Sequence, residues 1–164
     1  MKVLTLVRHA KSSRQNPGLP DLMRPLNKRG QRDAPMMGRR LAEQGIGVEL
    51  IISSPATRAM ETAGAVAEEI EYPWDAIVAE ERLYEADAGE ILAVIEEQDD
   101  WIDDLMLVGH NPGLTSVANV LSQADLESVP TCGVVGLRYD VERWTEIAEA
   151  EPVEVTFDYP KRGR

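Results

Sequence analysis

Cysteine is almost absent from this chain of 164 residues, which contains only Cys132. A single cysteine excludes an intrachain disulfide and argues against a cysteine-based metal site, so we expect Cys132 to be a small buried residue. Long apolar runs are also missing. No segment approaches the length of a transmembrane helix, and no secretory apolar region precedes the first predicted strand. We therefore expect a cytoplasmic protein that does not enter a membrane.

Positive charge is scarce, because 17 Lys and Arg residues against 29 Asp and Glu residues give a net charge of −12. This deficit argues against binding to nucleic acid, which needs a basic surface, and against binding to anionic membranes. The acidic residues dominate between positions 61 and 104. The first forty residues hold a local excess of positive charge that suggests an anion site, the alternative being a charged surface that only contacts solvent: Lys2, Arg8, Lys11, Arg14, Arg24, Lys28, Arg29, Arg32, Arg39 and Arg40.

Short apolar runs and helical patterns alternate along the first 121 residues. The runs predict strands at 3–7, 48–53, 76–79 and 105–108, and the 3.6-residue periodicity predicts helices at 34–44, 56–70, 89–97 and 114–121. The helix at 34–44 is compatible with Pro35 if that residue lies in its first turn, or if a short earlier turn is kinked there. After about residue 130 only strands are predicted, at 134–139, 144–147 and 153–157, with a turn at 140–143 joining the first two as an antiparallel hairpin.

This order of elements predicts a three-layer α/β/α sandwich whose sheet is mostly parallel and has an antiparallel edge. The length fits one domain, which we assign to residues 1–159, followed by a short C-terminal tail at 160–164.

Histidine is nearly as rare as cysteine, and both histidines follow predicted strands. His9 lies two residues after the predicted strand at 3–7, and His110 lies two residues after the predicted strand at 105–108. Because ligands bind outside the carboxyl ends of the strands in open α/β sheets, this placement indicates an active site. The alternative is that each is a polar residue with purely structural partners.

Three strand ends carry residues that suit a phosphoryl group. Arg8 and His9 combine an anion-binding guanidinium with a nucleophilic imidazole. Arg58 falls in the first turn of a predicted helix that Ser53 or Ser54 can cap, and a cation there opposes the helix dipole unless an anion binds. His110 lies between glycines before another helix start. No P-loop, glycine-rich dinucleotide turn or metal-ligand spacing occurs, so we expect neither a metal nor another cofactor.

These segments together resemble the histidine phosphatase superfamily, which includes the phosphoglycerate mutases. The matching segments are 6–11, 53–58 and 108–113, while 24–30 and 131–140 are similar to the SixA-type phosphohistidine phosphatases within it. The resemblance implies that His9 is the nucleophile and that Arg8, Arg58 and His110 surround the phosphate. Asn27 stands where the family commonly has Thr and is an equally good helix cap.

The proton donor is less clearly specified. Glu85 matches a common family position, and Asp21 is a second candidate in the long loop after the first strand. Asp21, Lys11 and Arg24 are also candidates for contact with the substrate phosphate at the rim. For each of these four residues the alternative is an ordinary charged side chain in solvent.

The sequence therefore predicts a metal-independent phosphatase that forms a covalent phosphohistidine intermediate, acts on protein phosphohistidine and releases inorganic phosphate. We expect a monomer. One alternative is the same chemistry on a small phosphate ester, such as a sugar phosphate or a nucleotide. Another is a phosphate-binding module without catalysis. Mutase activity is disfavoured, because it requires a closed pocket around a bisphosphate.

Overall fold

The structure, a computed structural model, describes residues 1–162. One mixed sheet of six strands forms its centre, in the order β3-β2-β4-β1-β5-β6. The strands β1 to β4 run parallel, and β5 is antiparallel to both β1 and β6. The predicted mostly parallel sheet with an antiparallel edge is confirmed. The strand bounds are β1 (Lys2–Arg8), β2 (Leu50–Ser53), β3 (Val78–Ala79), β4 (Asp104–Gly109), β5 (Val134–Tyr139) and β6 (Glu154–Asp158).

Four α-helices cover the two faces of the sheet, which confirms the three-layer sandwich. One buried cluster joins α1 and α2 to the face that carries Met106, and a second joins α3 and α4 to the face that carries Leu105 and Leu107. Alternation along each central strand divides its apolar side chains between the two clusters. The helix bounds are α1 (Lys28–Glu43), α2 (Thr57–Glu69), α3 (Ala88–Glu96) and α4 (Gly113–Ser122).

Helix α1 begins six residues earlier than predicted, and Pro35 lies inside it. Asn27 caps its N-terminus by accepting from the Gly30 amide at 2.9 Å. The prediction that Pro35 lies in the first turn is therefore wrong. Burial of Ala34, Met37 and Leu41 against the sheet and α2 stabilises the helix despite the hydrogen bond that proline cannot donate.

The predicted strand at 144–147 is wrong, because Trp144–Glu149 forms a 3₁₀ helix. Trp144 and Ile147 are three residues apart and both are fully buried, which suits a 3₁₀ turn better than strand alternation. The Trp144 indole donates to the Ile102 carbonyl at 2.9 Å. The antiparallel partner of β5 is therefore β6, not the segment after 140–143.

Three remaining observations concern the C-terminal tail, the single cysteine and the search for membrane-spanning helices. Residues 163 and 164 of the predicted tail lie outside the described residues, while Pro160 is buried and its carbonyl accepts from Arg40 at 3.0 Å. Cys132 is buried, as expected. Within residues 1–162 no helix has the length and apolar character needed to cross a membrane.

Candidate active site

The strand register brings the two histidines together. Strands β1 and β4 are parallel neighbours in which Arg8 pairs with Gly109, so His9 and His110 are the next residues at the same sheet edge. Their ring centroids lie 5.0 Å apart. The carboxyl ends of the strands thus form the site that the sequence predicts.

His9 is buried and presents a free nitrogen lone pair. Its Nδ1 lies 2.7 Å from the Ala10 carbonyl oxygen, which can only accept, so Nδ1 carries the proton of the neutral ring. Nε2 is then unprotonated. Burial lowers the pKa of His9 to about 3, although the bond to Ala10 opposes this shift. The ring is therefore neutral, with a lone pair on Nε2, throughout the physiological range.

His110 has the same tautomer as His9, but its other ring nitrogen is the one bound by the protein. The Ser54 hydroxyl accepts from the Ala56 amide at 3.2 Å, and its oxygen lies 2.7 Å from His110 Nε2. We take Nε2 as the acceptor of the hydroxyl proton of Ser54. With Ser54 as the donor to Nε2, the proton of the neutral His110 ring is on Nδ1, and this buried atom has no partner among the described residues. Burial, followed by Arg58, lowers the pKa of His110 to about 4. The Tyr84 ring packs edge-on against the imidazole at 5.6 Å.

The two predicted arginines extend from separate elements. Arg8, the last residue of β1, donates through Nη1 to the Val129 carbonyl at 2.9 Å. Arg58 lies in the first turn of α2 and is only 6% exposed. The Nε groups of both arginines are buried and have no acceptor among residues 1–162. The N-cap of α2 is Ala56, so the prediction of a cap by Ser53 or Ser54 is wrong; Ser54 contacts His110 instead.

The carboxylate of Asp21 binds Arg58, a contact that the sequence does not predict. Hydrogen bonds from Tyr84, then Arg24 and Arg58, hold the pKa of Asp21 well below its usual range. The carboxylate is therefore ionised at neutral pH and has no proton to donate to a leaving group. Asp21 lines the pocket, and its contact with the substrate phosphate stays a prediction.

All eight predicted residues line one pocket with a volume of about 280 Å³. Glu85 is exposed at its rim, and no other described residue forms a hydrogen bond or ion pair with its carboxylate. Lys11 is also exposed there, whereas Arg24 donates to Ser12 and Asp21. The eight residues are Arg8, His9, Lys11, Asp21, Arg24, Arg58, Glu85 and His110.

A larger groove, of about 720 Å³, lies between α1 and the antiparallel edge of the sheet. Neither histidine lines it. The 280 Å³ pocket is the one that combines the strand ends, the histidines and the buried cations, so we take it as the candidate active site.

Sequence reasoning missed Tyr84, which lines this pocket, and Ser54, a fully buried residue that contacts His110. Ser54 was considered only as a helix cap, although it follows β2, the strand beside β4, and so belongs to the same sheet edge as His110. Tyr84 was overlooked beside Glu85, and it contacts both His110 and Asp21. The strand-end rule could have found Ser54, but no local pattern marks Tyr84.

A family model described as the histidine phosphatase superfamily (branch 1) matches residues 4–111, which is more than half of the chain. The chain belongs to the histidine phosphatase superfamily. The matched region contains Arg8, His9, Arg58 and His110, and membership supports phosphatase activity on a phosphorylated substrate.

Relatives of this histidine phosphatase occur in bacteria and plants. An uncharacterized protein of Mycobacterium tuberculosis is 32% identical over 165 residues, which cover 94% of this chain and all of that protein. An uncharacterized chloroplastic protein of Arabidopsis thaliana is 31% identical over 153 residues, covering 87% of this chain and 69% of that protein.

Solved structures share the fold. A protein described as a phosphohistidine phosphatase SixA candidate from Agrobacterium tumefaciens is 26% identical, with a TM-score of 0.80 over 94% of this chain and 97% of that one. The protein histidine phosphatase SixA in complex with tungstate is 18% identical, with a TM-score of 0.77 over 96% and 94% of the two chains. This histidine phosphatase therefore has a SixA-like fold.

Proposed function

We propose that this protein is a metal-independent phosphatase that transfers the phosphoryl group of protein phosphohistidine to its own His9 and then to water. The observation that carries the proposal is that the protein binds opposite ring nitrogens of the two histidines, which leaves His9 with a free lone pair on Nε2 and His110 with a free proton on Nδ1. A nucleophile and a hydrogen-bond donor to the phosphoryl oxygens are both needed for this reaction.

The reaction proceeds in two displacements. The His9 Nε2 lone pair forms a bond to phosphorus while the bond from phosphorus to the substrate nitrogen breaks, and the departing imidazole keeps that electron pair and takes up a proton. Water then attacks the phosphorus on His9, loses a proton and forms inorganic phosphate. The bond from phosphorus to Nε2 breaks, and His9 recovers its lone pair.

Buried donors without partners support the assignment of the phosphate site. The Nε atoms of Arg8 and Arg58 and the Nδ1 atom of His110 lack acceptors among the described residues. Unsatisfied buried donors are costly, and phosphoryl oxygens are acceptors that satisfy them. We therefore assign these three side chains to stabilisation of the phosphoryl charge, which is the main task of a protein in such a transfer.

The open pocket supports a substrate carried by another protein. The loop between β1 and α1 lines part of it, but the chain has no large insertion that could enclose a small metabolite. The SixA names of structural neighbours are consistent with phosphohistidine as the substrate. Action as a monomer in the cytoplasm, through one catalytic domain at 1–159, remains a prediction from the sequence.

Trapping the intermediate tests the proposal. A peptide carrying labelled phosphohistidine is mixed with the protein, the reaction is quenched in alkali, and the protein is isolated. We expect an acid-labile, alkali-stable label on the wild-type protein and none on His9→Ala, which also loses turnover. If the wild type acquires no label that His9→Ala lacks, the covalent mechanism is wrong and a module that only binds phosphate becomes the better explanation.

A phosphate ester is the second candidate substrate, because Glu85 places an uncommitted carboxyl group at the rim. Alkoxide leaving groups need a proton more than imidazole does, and a general acid contributes roughly 10²–10⁴-fold in rate. We expect Glu85→Gln to hydrolyse phosphohistidine almost normally while losing hydrolysis of sugar phosphates and nucleotides. Equal losses on both substrates would count against phosphohistidine as the preferred one.

A further inference from the structure

The carboxylate of Asp21 binds the guanidinium of Arg58, which we assign to the phosphate site. Its Oδ2 accepts from Arg58 Nη2 at 3.0 Å and from the Tyr84 hydroxyl at 2.6 Å, and its Oδ1 accepts from Arg24 Nε at 2.9 Å. The backbone carbonyl of Asp21 accepts from Arg58 Nη1 at 2.7 Å. Both terminal nitrogens of Arg58 are thus bound to one acidic residue.

Polar contacts, not packing, hold Asp21 in this position. It begins the short 3₁₀ helix Asp21–Met23, which buries no residue, and its side chain is 52% exposed. Arg58, in contrast, is buried in α2. Of these two partners, the carboxylate is therefore the one that can give way when another anion enters the pocket.

We infer that Asp21 is a specificity-determining residue whose carboxylate competes with phosphate for Arg58 and so weakens the binding of free inorganic phosphate. This inference rests on the proposed function. The Nε of Arg58 stays free, so a phosphate that binds the guanidinium through Nε and Nη2 competes with the Asp21 carboxylate for Nη2. The remaining negative charge also repels a phosphate dianion in the pocket.

The consequence for the reaction is selective release of the product. Inorganic phosphate has only the pocket to bind, and it must displace Asp21 without help from other contacts. A phosphoryl group attached to a protein gains contacts outside the pocket, which offset the cost of displacing the carboxylate. Asp21 thus favours attached phosphoryl groups over the product.

The alternative role for Asp21 is positioning of Arg58, and it predicts the opposite sign. If the carboxylate mainly holds the guanidinium in the orientation that phosphate requires, its removal weakens phosphate binding. If the carboxylate competes, its removal strengthens phosphate binding. The sign of one binding measurement therefore separates the two roles.

Titration calorimetry with inorganic phosphate, at fixed pH and ionic strength, provides that measurement. The variants are Asp21→Asn, which keeps the shape and the backbone carbonyl contact, and Asp21→Ala, which removes all side-chain contacts. Asp75→Asn is the matched control, because Asp75 is exposed and precedes β3. It therefore lies near the amino ends of the parallel strands, whereas the pocket lies at their carboxyl ends. Circular dichroism checks that each variant is folded.

We expect both Asp21 variants to bind inorganic phosphate about tenfold more tightly than the wild type, which corresponds to about 1.4 kcal/mol. Product inhibition of phosphohistidine hydrolysis should strengthen by the same factor, and Asp75→Asn should match the wild type. Unchanged or weaker binding in either Asp21 variant overturns the inference. Failure of the proposed function is a distinct result, because the wild type then acquires no label on His9, whatever its affinity for inorganic phosphate.

Discussion

At the scale of single residues, two identical side chains acquire different chemistry from their neighbours. The Ala10 carbonyl fixes the proton of His9 on Nδ1, and the Ser54 hydroxyl leaves the proton of His110 on Nδ1 by donating to Nε2. One ring then keeps a free lone pair and the other a free donor. The sequence shows Ala10 and Ser54, but it does not show that either one touches a histidine.

The two pocket arginines, Arg8 and Arg58, give a testable prediction at the scale of single residues. Replacing Arg8 or Arg58 by alanine should lower kcat/KM for a phosphohistidine peptide about 10²–10³-fold, because each removes preorganised donors to the phosphoryl oxygens. Arg39→Ala is the control, since Arg39 is exposed and pairs with Glu69 at 3.4 Å outside the pocket. A loss below about tenfold for Arg58→Ala would remove that residue from the proposed phosphate site.

At the scale of elements, the parallel strands decide where chemistry occurs. Strands β1, β2 and β4 end at one edge, and each is followed by a residue of the site. The alternation of apolar runs and helical periodicity was sufficient to predict those three strands. It failed at Trp144 and Pro35, because burial against distant segments stabilises the observed 3₁₀ helix and the longer α1.

Two helical glycines test how elements support the site. A Cβ at Gly30, in the first turn of α1, would lie 2.2 Å from the Lys11 carbonyl oxygen, whereas a Cβ at Gly64 in α2 would meet nothing within 4 Å. We expect Gly30→Ala to lower Tm and turnover, because it displaces the segment that follows His9. Gly64→Ala should raise Tm by about 1–4 °C through helix propensity. Thermal denaturation of the pair checks this, and equal effects would contradict it.

At the scale of the whole molecule, buried titratable groups link stability to pH. Burial lowers the pKa of His9 to about 3 and that of His110 to about 4, both below the ordinary value of 6.5. As pH falls from 6.5 toward these values, the unfolded chain binds protons that the folded chain does not, so these groups lower the free energy of unfolding. The site therefore makes the protein less stable in acid.

Asp104 contributes with the opposite sign. Burial, with Glu49 and Asp103 nearby, raises its pKa from 3.8 to about 6, so ionisation above pH 6 destabilises the folded state and protonation below it removes the cost. We expect Asp104→Asn to raise Tm at pH 8 by about 2–4 °C, or about 1 kcal/mol. The gain should disappear near pH 4. A calorimetric pH series with Asp75→Asn as control measures it, and a gain that persists at pH 4 refutes the assignment to charge.

The sequence by itself determined the layers of the fold, the strand ends that carry the site and the candidate residues His9, Arg8, Arg58 and His110. These depend on local patterns: apolar periodicity, rare residues after strands, and motifs a few residues long. Only the tertiary structure decided which ring nitrogen of each histidine is free, that Ser54 contacts His110, that Tyr84 lines the pocket, and that Asp21 binds Arg58. Apart from the bond of His9 to the adjacent Ala10, those properties depend on contacts between residues 37 to 63 positions apart in the chain, and chain folding alone brings such residues together.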